Sequence, residues 1–271
     1  MGEFQALRFE VLEKIARLTL ARPERGNAMD MIMRSELRLA VRRVAEDGEI
    51  RALVIAGEGR NFCTGGDIAA MQEAGISDAA EGRRRLADYI DLVQQLIFLE
   101  KPVVAAVQGH AAGGGFGLAL AADFVLAAPD ACFTASFARV GLVPDFGLTW
   151  TLPRLVGMPK ARELIYSARR IEAAEALRIG MIHDVVDNES LPQTAFDLAA
   201  GLTTGSPAAF ALAKQALNRS LNADLHSQLE FEASAQGICF TTEWHKQAIA
   251  RFLAKQSSPF KGISATTGEK V

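Results

Sequence analysis

Apolar positions along the chain follow two periods in turn. Ile15-Ala16-Arg17-Leu18-Thr19-Leu20 alternates between apolar and polar positions, the pattern of a half-buried strand. Ala52-Leu53-Val54-Ile55-Ala56 is a continuous apolar run ended by Gly57, and Val103-Val104-Ala105-Ala106-Val107 is another, preceded by Pro102. Phe124-Val125-Leu126-Ala127 and Ile182-His183-Asp184-Val185-Val186 complete the set. Continuous apolar runs predict strands covered on both faces. Longer stretches with helical spacing lie between them. Residues 29–44 carry Ile32, Leu37, Leu39 and Val41, and residues 86–99 place Leu86, Ile90, Val93 and Ile97 three or four apart. The alternation predicts an α/β domain.

The tail reads differently. Ser206-Pro207 has the form of an N-cap followed by proline at the first helical position. Beyond it residues 208–220, 225–240 and 242–255 read as helices, with no further strand pattern. Trp244, Ile249, Phe252 and Leu253 give the last of them an apolar side. The predicted organisation is an α/β core over residues 1–200 and a helical region over 201–271. Three helices are few for a core of their own, so the region is expected to pack on something else, a neighbouring subunit being one candidate. Residues 266–271 are polar and read as frayed.

Composition narrows the function classes. The chain has 271 residues, 49% hydrophobic and 23% charged, with a net charge of −3. That is ordinary globular composition without the basic excess of a nucleic-acid or anionic-membrane binder. Cys63, Cys132 and Cys239 are odd in number and form no C-x-x-C pair, and the four histidines include no pair at metal-ligand spacing. No disulfide framework and no metal site are expected, and a cytoplasmic setting fits best. The first residues, Met1 to Gln5, lack a basic segment followed by an apolar run, so no secretion signal is expected. The longest apolar stretch, residues 103–120, is broken by Gly109 and a glycine cluster, so no membrane span is expected.

Two glycine loops carry the candidate chemistry. Asn61-Phe62-Cys63-Thr64-Gly65-Gly66-Asp67 follows the 53–56 strand, and paired glycines let a backbone approach a ligand closely. By itself it reads first as a strand-to-helix turn with Asp67 as N-cap. Gly109-His110-Ala111-Ala112-Gly113-Gly114-Gly115-Phe116-Gly117-Leu118 follows the 103–107 strand and opens a helix, whose first N–H groups are free to hold an anion or a developing oxyanion. Its glycine spacing is not the G-x-G-x-x-G of dinucleotide sites, and no G-x-x-x-x-G-K-[ST] occurs.

Taken together, six blocks resemble the enoyl-CoA hydratase/isomerase (crotonase) superfamily, in order from about residue 9 to 262. They are Arg22-Pro23 with Asn27-Ala28-Met29; Phe62-Cys63-Thr64-Gly65-Gly66-Asp67-Ile68; Lys101-Pro102 through Gln108-Gly109; Gly113-Gly114-Gly115; Gly141-Leu142-Val143-Pro144-Asp145; and Leu152-Pro153-Arg154-Leu155-Val156-Gly157. The resemblance implies a spiral of ββα units with a C-terminal helical region that mediates assembly into homotrimers or hexamers. It implies an acyl-CoA thioester as substrate, with coenzyme A part of that substrate and no separate cofactor. The thioester oxygen would accept hydrogen bonds from the N–H groups of Gly66 and Gly114. Coenzyme A would run past Arg25, Ala28, Thr64, Asp67 and Ile68, and Phe252 and Lys255 would reach it from a neighbouring subunit.

The base then decides the reaction. Hydratases of this family use two glutamates, and at the matching positions this chain has Gly117 and Phe137. Neither side chain moves a proton, so two-glutamate hydration is not expected, and Phe137 is expected to line the acyl pocket instead. Asp145 matches the acidic position of isomerases in the superfamily. The stretch from Ser136 to Trp150 is similar to the ring-epoxide isomerase branch, which is itself similar to Δ3,Δ2-enoyl-CoA isomerases. An aspartate among Val143, Phe146 and Leu148 is expected to be partly desolvated and therefore a stronger base. Alternatives are a hydratase or other acyl-CoA lyase or hydrolase, a non-catalytic CoA-ester binder, and an unrelated nucleotide-binding α/β protein. Asp123 is expected to be structural, and His110 is a weaker pocket candidate.

Overall fold

The computed structural model describes residues 4–263, so the frayed end expected at 266–271 lies outside the described residues. Strands β1 (Leu7–Leu12) and β2 (Ile15–Leu20) form an antiparallel hairpin. Glu13 and Lys14 turn it with φ of 49° and 69°, the left-handed pair that a two-residue hairpin loop requires. From β2 the sheet grows in parallel through β3 (Ala52–Gly57), β4 (Val103–Val107), a strand at Phe124–Ala127 and a last one at Asp184–Val185. A second sheet of three short strands joins His110–Ala112, Cys132–Thr134 and Arg170–Glu172. In chain order these five are β5 (His110–Ala112), β6 (Phe124–Ala127), β7 (Cys132–Thr134), β8 (Arg170–Glu172) and β9 (Asp184–Val185). The edge strand β1 and the three strands of the small sheet escape the sequence pattern for a physical reason. Beyond Leu7, β1 is largely exposed, and three residues are too few to show a period.

Two apolar cores flank the main sheet, which explains the unbroken apolar runs of β3 and β4. Ile55, Val103 and Ala105 face one core, while Val54, Val104 and Ala106 face the other. The first core is covered by α1 (Met31–Glu46), which Asp30 caps by accepting from Met33 N, and the short α2 (Ile68–Ala74) and α3 (Ala79–Arg85) follow in the chain. It continues through α4 (Ala87–Ile97) and α5 (Gly114–Leu120). Every residue of α5 is buried, as an all-apolar helix requires. The helices α6 (Leu148–Val156), α7 (Met158–Ser167) and α8 (Ala173–Arg178) follow, and α9 (Leu191–Thr203) covers the second core.

The faces expected for α1 and α4 need correction. Ile32 and Leu39 are exposed, and α1 buries Met33, Arg34, Leu37, Ala40, Val41 and Val44. Leu86 and Ile90 are exposed as well, and α4 turns Tyr89, Leu92, Val93, Leu96 and Ile97 inward. Apolar residues sit on both sides of these helices, so spacing alone did not identify the side that packs.

The tail forms α10 (Pro207–Ser220), α11 (Leu225–Thr241) and α12 (Glu243–Leu253). Lys214 ties α10 to the sheet through Asp123 at 2.8 Å, and the same carboxylate oxygen accepts from Val103 N at 2.8 Å. Asp123 is thus a structural clamp, as expected. Asp123→Ala removes both bonds and leaves the Lys214 ammonium, 13% exposed, without its carboxylate. A loss of about 2 kcal/mol in urea unfolding is expected, with Asp123→Asn costing less. Phe252 and Leu253 are 76% and 75% exposed, so the apolar side of α12 is uncovered in a single chain.

Candidate active site

The two glycine loops meet where β3 and β4 end. Phe62 N donates to Gln108 O, Cys63 N to His110 O, and Ala112 N to Cys63 O, so the loops run side by side as a short parallel bridge. Met29 N donates to Gly65 O at 2.7 Å, Asp67 N to Met29 O at 3.1 Å, and Gly113 N to Thr134 O at 2.9 Å. Gly65 has φ of 100°, and a methyl placed on it would lie 2.8 Å from Ala112 O and 3.5 Å from Gly114 N. Only glycine permits both that conformation and that approach. The N–H groups of Cys63, Thr64, Asp67, Ala112 and Gly113 are consumed by this lacing. Those of Gly66 and Gly114 donate to no acceptor among the described residues. Two free backbone donors on touching loops have the form of an oxyanion hole.

Asp145 reaches the same place from the loop between the 3₁₀ turn Ser136–Val140 and α6. Phe146 beside it is buried and has φ of 52°. Its ring meets Tyr89 edge-on at 4.8 Å and would stand 3.2 Å from a methyl on Gly114. The surroundings expected for Asp145 need one correction: Val143 is 76% exposed, and Tyr89 stands in its place. Asp145 Oδ1 is buried and has no hydrogen-bond partner. Burial pushes its carboxyl up to about 6, opposed in part by the Arg34 guanidinium and by a backbone hydrogen bond.

Gly117 shows why no glutamate stands there. A methyl on it would lie 2.5 Å from Phe146 Cβ and 2.8 Å from Phe146 O. The loop that delivers Asp145 occupies the space a side chain would need. Phe137 is buried, with its ring tip 3.9 Å from a methyl on Gly113, so it faces the second glycine loop.

Five of the expected coenzyme A residues form one rim. Arg25 ends the 3₁₀ turn Pro23–Arg25, and Thr64 N donates to Gly26 O at 3.0 Å. Arg22 links the remaining parts, donating to Ala28 O at 2.7 Å and to Asp67 at 3.3 Å. Asp67 caps α2 by accepting from Ala70 N, and that bond, with Arg22 and Arg25 beside it, holds its carboxyl below the usual range. Asp67 is therefore an ionised cap rather than a proton shuttle. Ile68 is exposed next to it. Phe252 and Lys255 are not brought to this rim within one chain, since α12 packs on α11.

Two nearby groups escaped the sequence reading. Arg34 is 5% exposed, and its guanidinium stacks 4.2 Å above the ring of Tyr89. The signal was present: Arg34 belongs to the 33, 34, 37, 40, 41, 44 stripe of α1, a charge on the apolar face. His110 instead places Nδ1 3.0 Å from Cys132 Sγ at the start of the small sheet. Cys63 is no nucleophile, because burial pushes its thiol up to about 12. Among the described residues no cluster suited to a metal ion occurs, and no helix is long and apolar enough to cross a membrane.

The sequence profile of enoyl-CoA hydratase/isomerase matches residues 10–263. The chain belongs to the enoyl-CoA hydratase/isomerase family. It is 40% identical over 259 residues to a probable enoyl-CoA hydratase of Rhodobacter capsulatus, covering 96% of this chain and 99% of that one. It is 39% identical over 246 residues to the 1,2-epoxyphenylacetyl-CoA isomerase of Escherichia coli, covering 90% and 94%. The crystal structure of an enoyl-CoA hydratase/isomerase from Cupriavidus metallidurans CH34 superposes with a TM-score of 0.93 at 36% identity, covering 98% of this chain and 100% of that one. The family and the crotonase-type α/β fold expected from the six blocks are thereby borne out. The family acts on acyl-CoA thioesters, and relatives of similar identity carry both hydratase and isomerase names.

Proposed function

We propose that this member of the family is an acyl-CoA isomerase that shifts a double bond by enolate chemistry. The observation that carries the reading is Asp145 Oδ1, a buried carboxylate oxygen with no partner, at a site where Gly117 and Phe137 stand in the positions of the hydratase glutamates. Asp145 removes a C2 proton from a 3-enoyl-CoA. The C–H electron pair moves into the thioester, and the oxyanion is held by the N–H groups of Gly66 and Gly114. The proton returns from Asp145 to C4, giving the 2-enoyl ester. A carboxyl near 6 suits both halves, since it is ionised at neutral pH yet basic enough to return as an acid. Phe137 and Phe146 keep water from the enolate. Coenzyme A lies along Arg25, Ala28, Thr64, Asp67 and Ile68. Phe252 and Lys255 serve a neighbouring copy in a trimer or hexamer, which the uncovered side of α12 supports.

Ring-epoxide isomerisation is the second reading, favoured by the name of the E. coli relative. One assay separates the readings. Given 3-hexenoyl-CoA and crotonyl-CoA, the wild type is expected to migrate the first double bond and to hydrate the second poorly. Strong hydration of crotonyl-CoA that survives Asp145→Ala would sink the proposal. The pH profile supplies a further check. Because Asp145 acts as the ionised base, kcat/KM for 3-hexenoyl-CoA is expected to rise with pH and level off above about 6. A profile flat from pH 4.5 to 8 contradicts the assignment.

A further inference from the structure

Arg34 raises a question that double-bond migration alone does not answer. Its side chain is carried into the apolar stripe of α1, and the residue is only 5% exposed. No carboxylate forms an ion pair with it among the described residues. Its Nη1 contacts the thioether of Met31 at 3.8 Å, a weak acceptor, and Tyr89 covers one face of the guanidinium. Nε is buried without a partner, and Nη2 lies 3.3 Å from where a methyl on Gly66 would stand. A buried donor of this kind is costly to leave unmade, and more so when charged. The Arg34 guanidinium acts on the Asp145 carboxyl, whose Oδ1 is buried and unpartnered, yet Arg34 and Asp145 form no ion pair among the described residues. A direct pair would neutralise the base. Held apart, the two present one cationic donor and one acceptor beside the free N–H of Gly66.

We propose that Arg34 donates to an oxygen on the acyl group itself, so that the preferred esters are short acyl-CoA thioesters carrying an acceptor oxygen beyond the thioester carbonyl. The inference rests on the reading of Gly66, Gly114 and Asp145 as the acyl-CoA site and adds the class of acyl group. A plain hydrocarbon chain leaves the buried Nε unpaired, whereas an ester with a carboxylate or hydroxyl oxygen supplies an acceptor to the guanidinium. Arg34 is then a specificity-determining residue, and Tyr89 holds its guanidinium plane in position.

The test measures binding of saturated esters, which contain no double bond to move. Butanoyl-CoA, 4-hydroxybutanoyl-CoA and succinyl-CoA are titrated calorimetrically into wild type, Arg34→Met and Arg34→Lys. Wild type is expected to bind one or both oxygenated esters about tenfold or more tighter than butanoyl-CoA. Preference for succinyl-CoA alone identifies a carboxylate, and comparable preference for the hydroxy ester identifies a neutral oxygen. Arg34→Met is expected to abolish the preference while still binding butanoyl-CoA. Arg34→Lys keeps part of any carboxylate preference but loses the geometry of the planar fork. Equal binding of all three esters by wild type overturns the inference without any variant, and so does a preference that survives Arg34→Met or an equal weakening of all three. These outcomes are independent of turnover. A binding preference without any isomerisation refutes the proposed reaction alone, and isomerisation without a preference refutes the role of Arg34 alone.

Discussion

Asp145→Asn is expected to lower kcat/KM for 3-hexenoyl-CoA isomerisation by about 10²- to 10⁴-fold, the usual worth of a positioned acid–base group. The variant keeps the shape of the side chain, so binding of a saturated ester is expected to change little. The same substitution is expected to stabilise the fold. The carboxyl of Asp145 is raised to about 6 by burial, so the folded state holds its proton over a pH range in which the unfolded chain has released it. Its contribution to stability is full below the ordinary carboxylate range and is lost as pH rises through about 6. At neutral pH the wild type therefore carries a buried charge that asparagine does not. A gain on the order of 2 kcal/mol in Asp145→Asn is expected at pH 7.5 and should vanish near pH 4. Urea unfolding at the two pH values measures it. A variant less stable than wild type at pH 7.5, or fully active, contradicts the role given to Asp145.

Gly117→Glu is expected to be the other large effect, and it runs against a simple reading of the family pattern. Restoring the hydratase glutamate should not restore hydration. A β-carbon at 117 meets Phe146 Cβ at 2.5 Å and Phe146 O at 2.8 Å, so the Asp145–Phe146 segment must move. Displacing a base by about 1 Å costs on the order of 10²-fold in rate. Overpacking a buried helix adds about 1–3 kcal/mol of destabilisation. Gly117→Ala tests the same clash without the charge and is expected to lose isomerisation to a similar extent. Crotonyl-CoA hydration appearing in Gly117→Glu, with isomerisation intact, would mean that the loop is free to withdraw and that position 117 alone selects the reaction.

Both expectations depend on a contact between two segments far apart in sequence, and this marks the limit of what the residues alone disclose. Gly117 and Phe137 announce the absence of the glutamates, but not that the Asp145 loop fills the first of those positions. Tyr89 shows the same limit. Its neighbours Leu86 and Ile90 have helical spacing, yet they are exposed, and Tyr89 turns inward against Phe146 and Arg34. Periodicity reports that a helix has an apolar side, whereas the partner surface selects which side is used when both carry apolar residues.

The sequence by itself determined the family, the alternation of strands and helices, the two glycine loops and Asp145 at the acidic position of the isomerase pattern. These are local properties: runs of apolar side chains, residues that tolerate left-handed or crowded backbone, and motif order. Tertiary structure alone decided how the loops of Gly66 and Gly114 are laced side by side, with Cys63 N donating to His110 O and Ala112 N to Cys63 O across segments distant in sequence. It also decided that Asp145 Oδ1 and Arg34 Nε are both buried without a hydrogen-bond partner. Hydrogen-bond accounting and desolvation depend on everything that packs around a group, and that environment is assembled from α1, α4, α5 and the loop before α6 together.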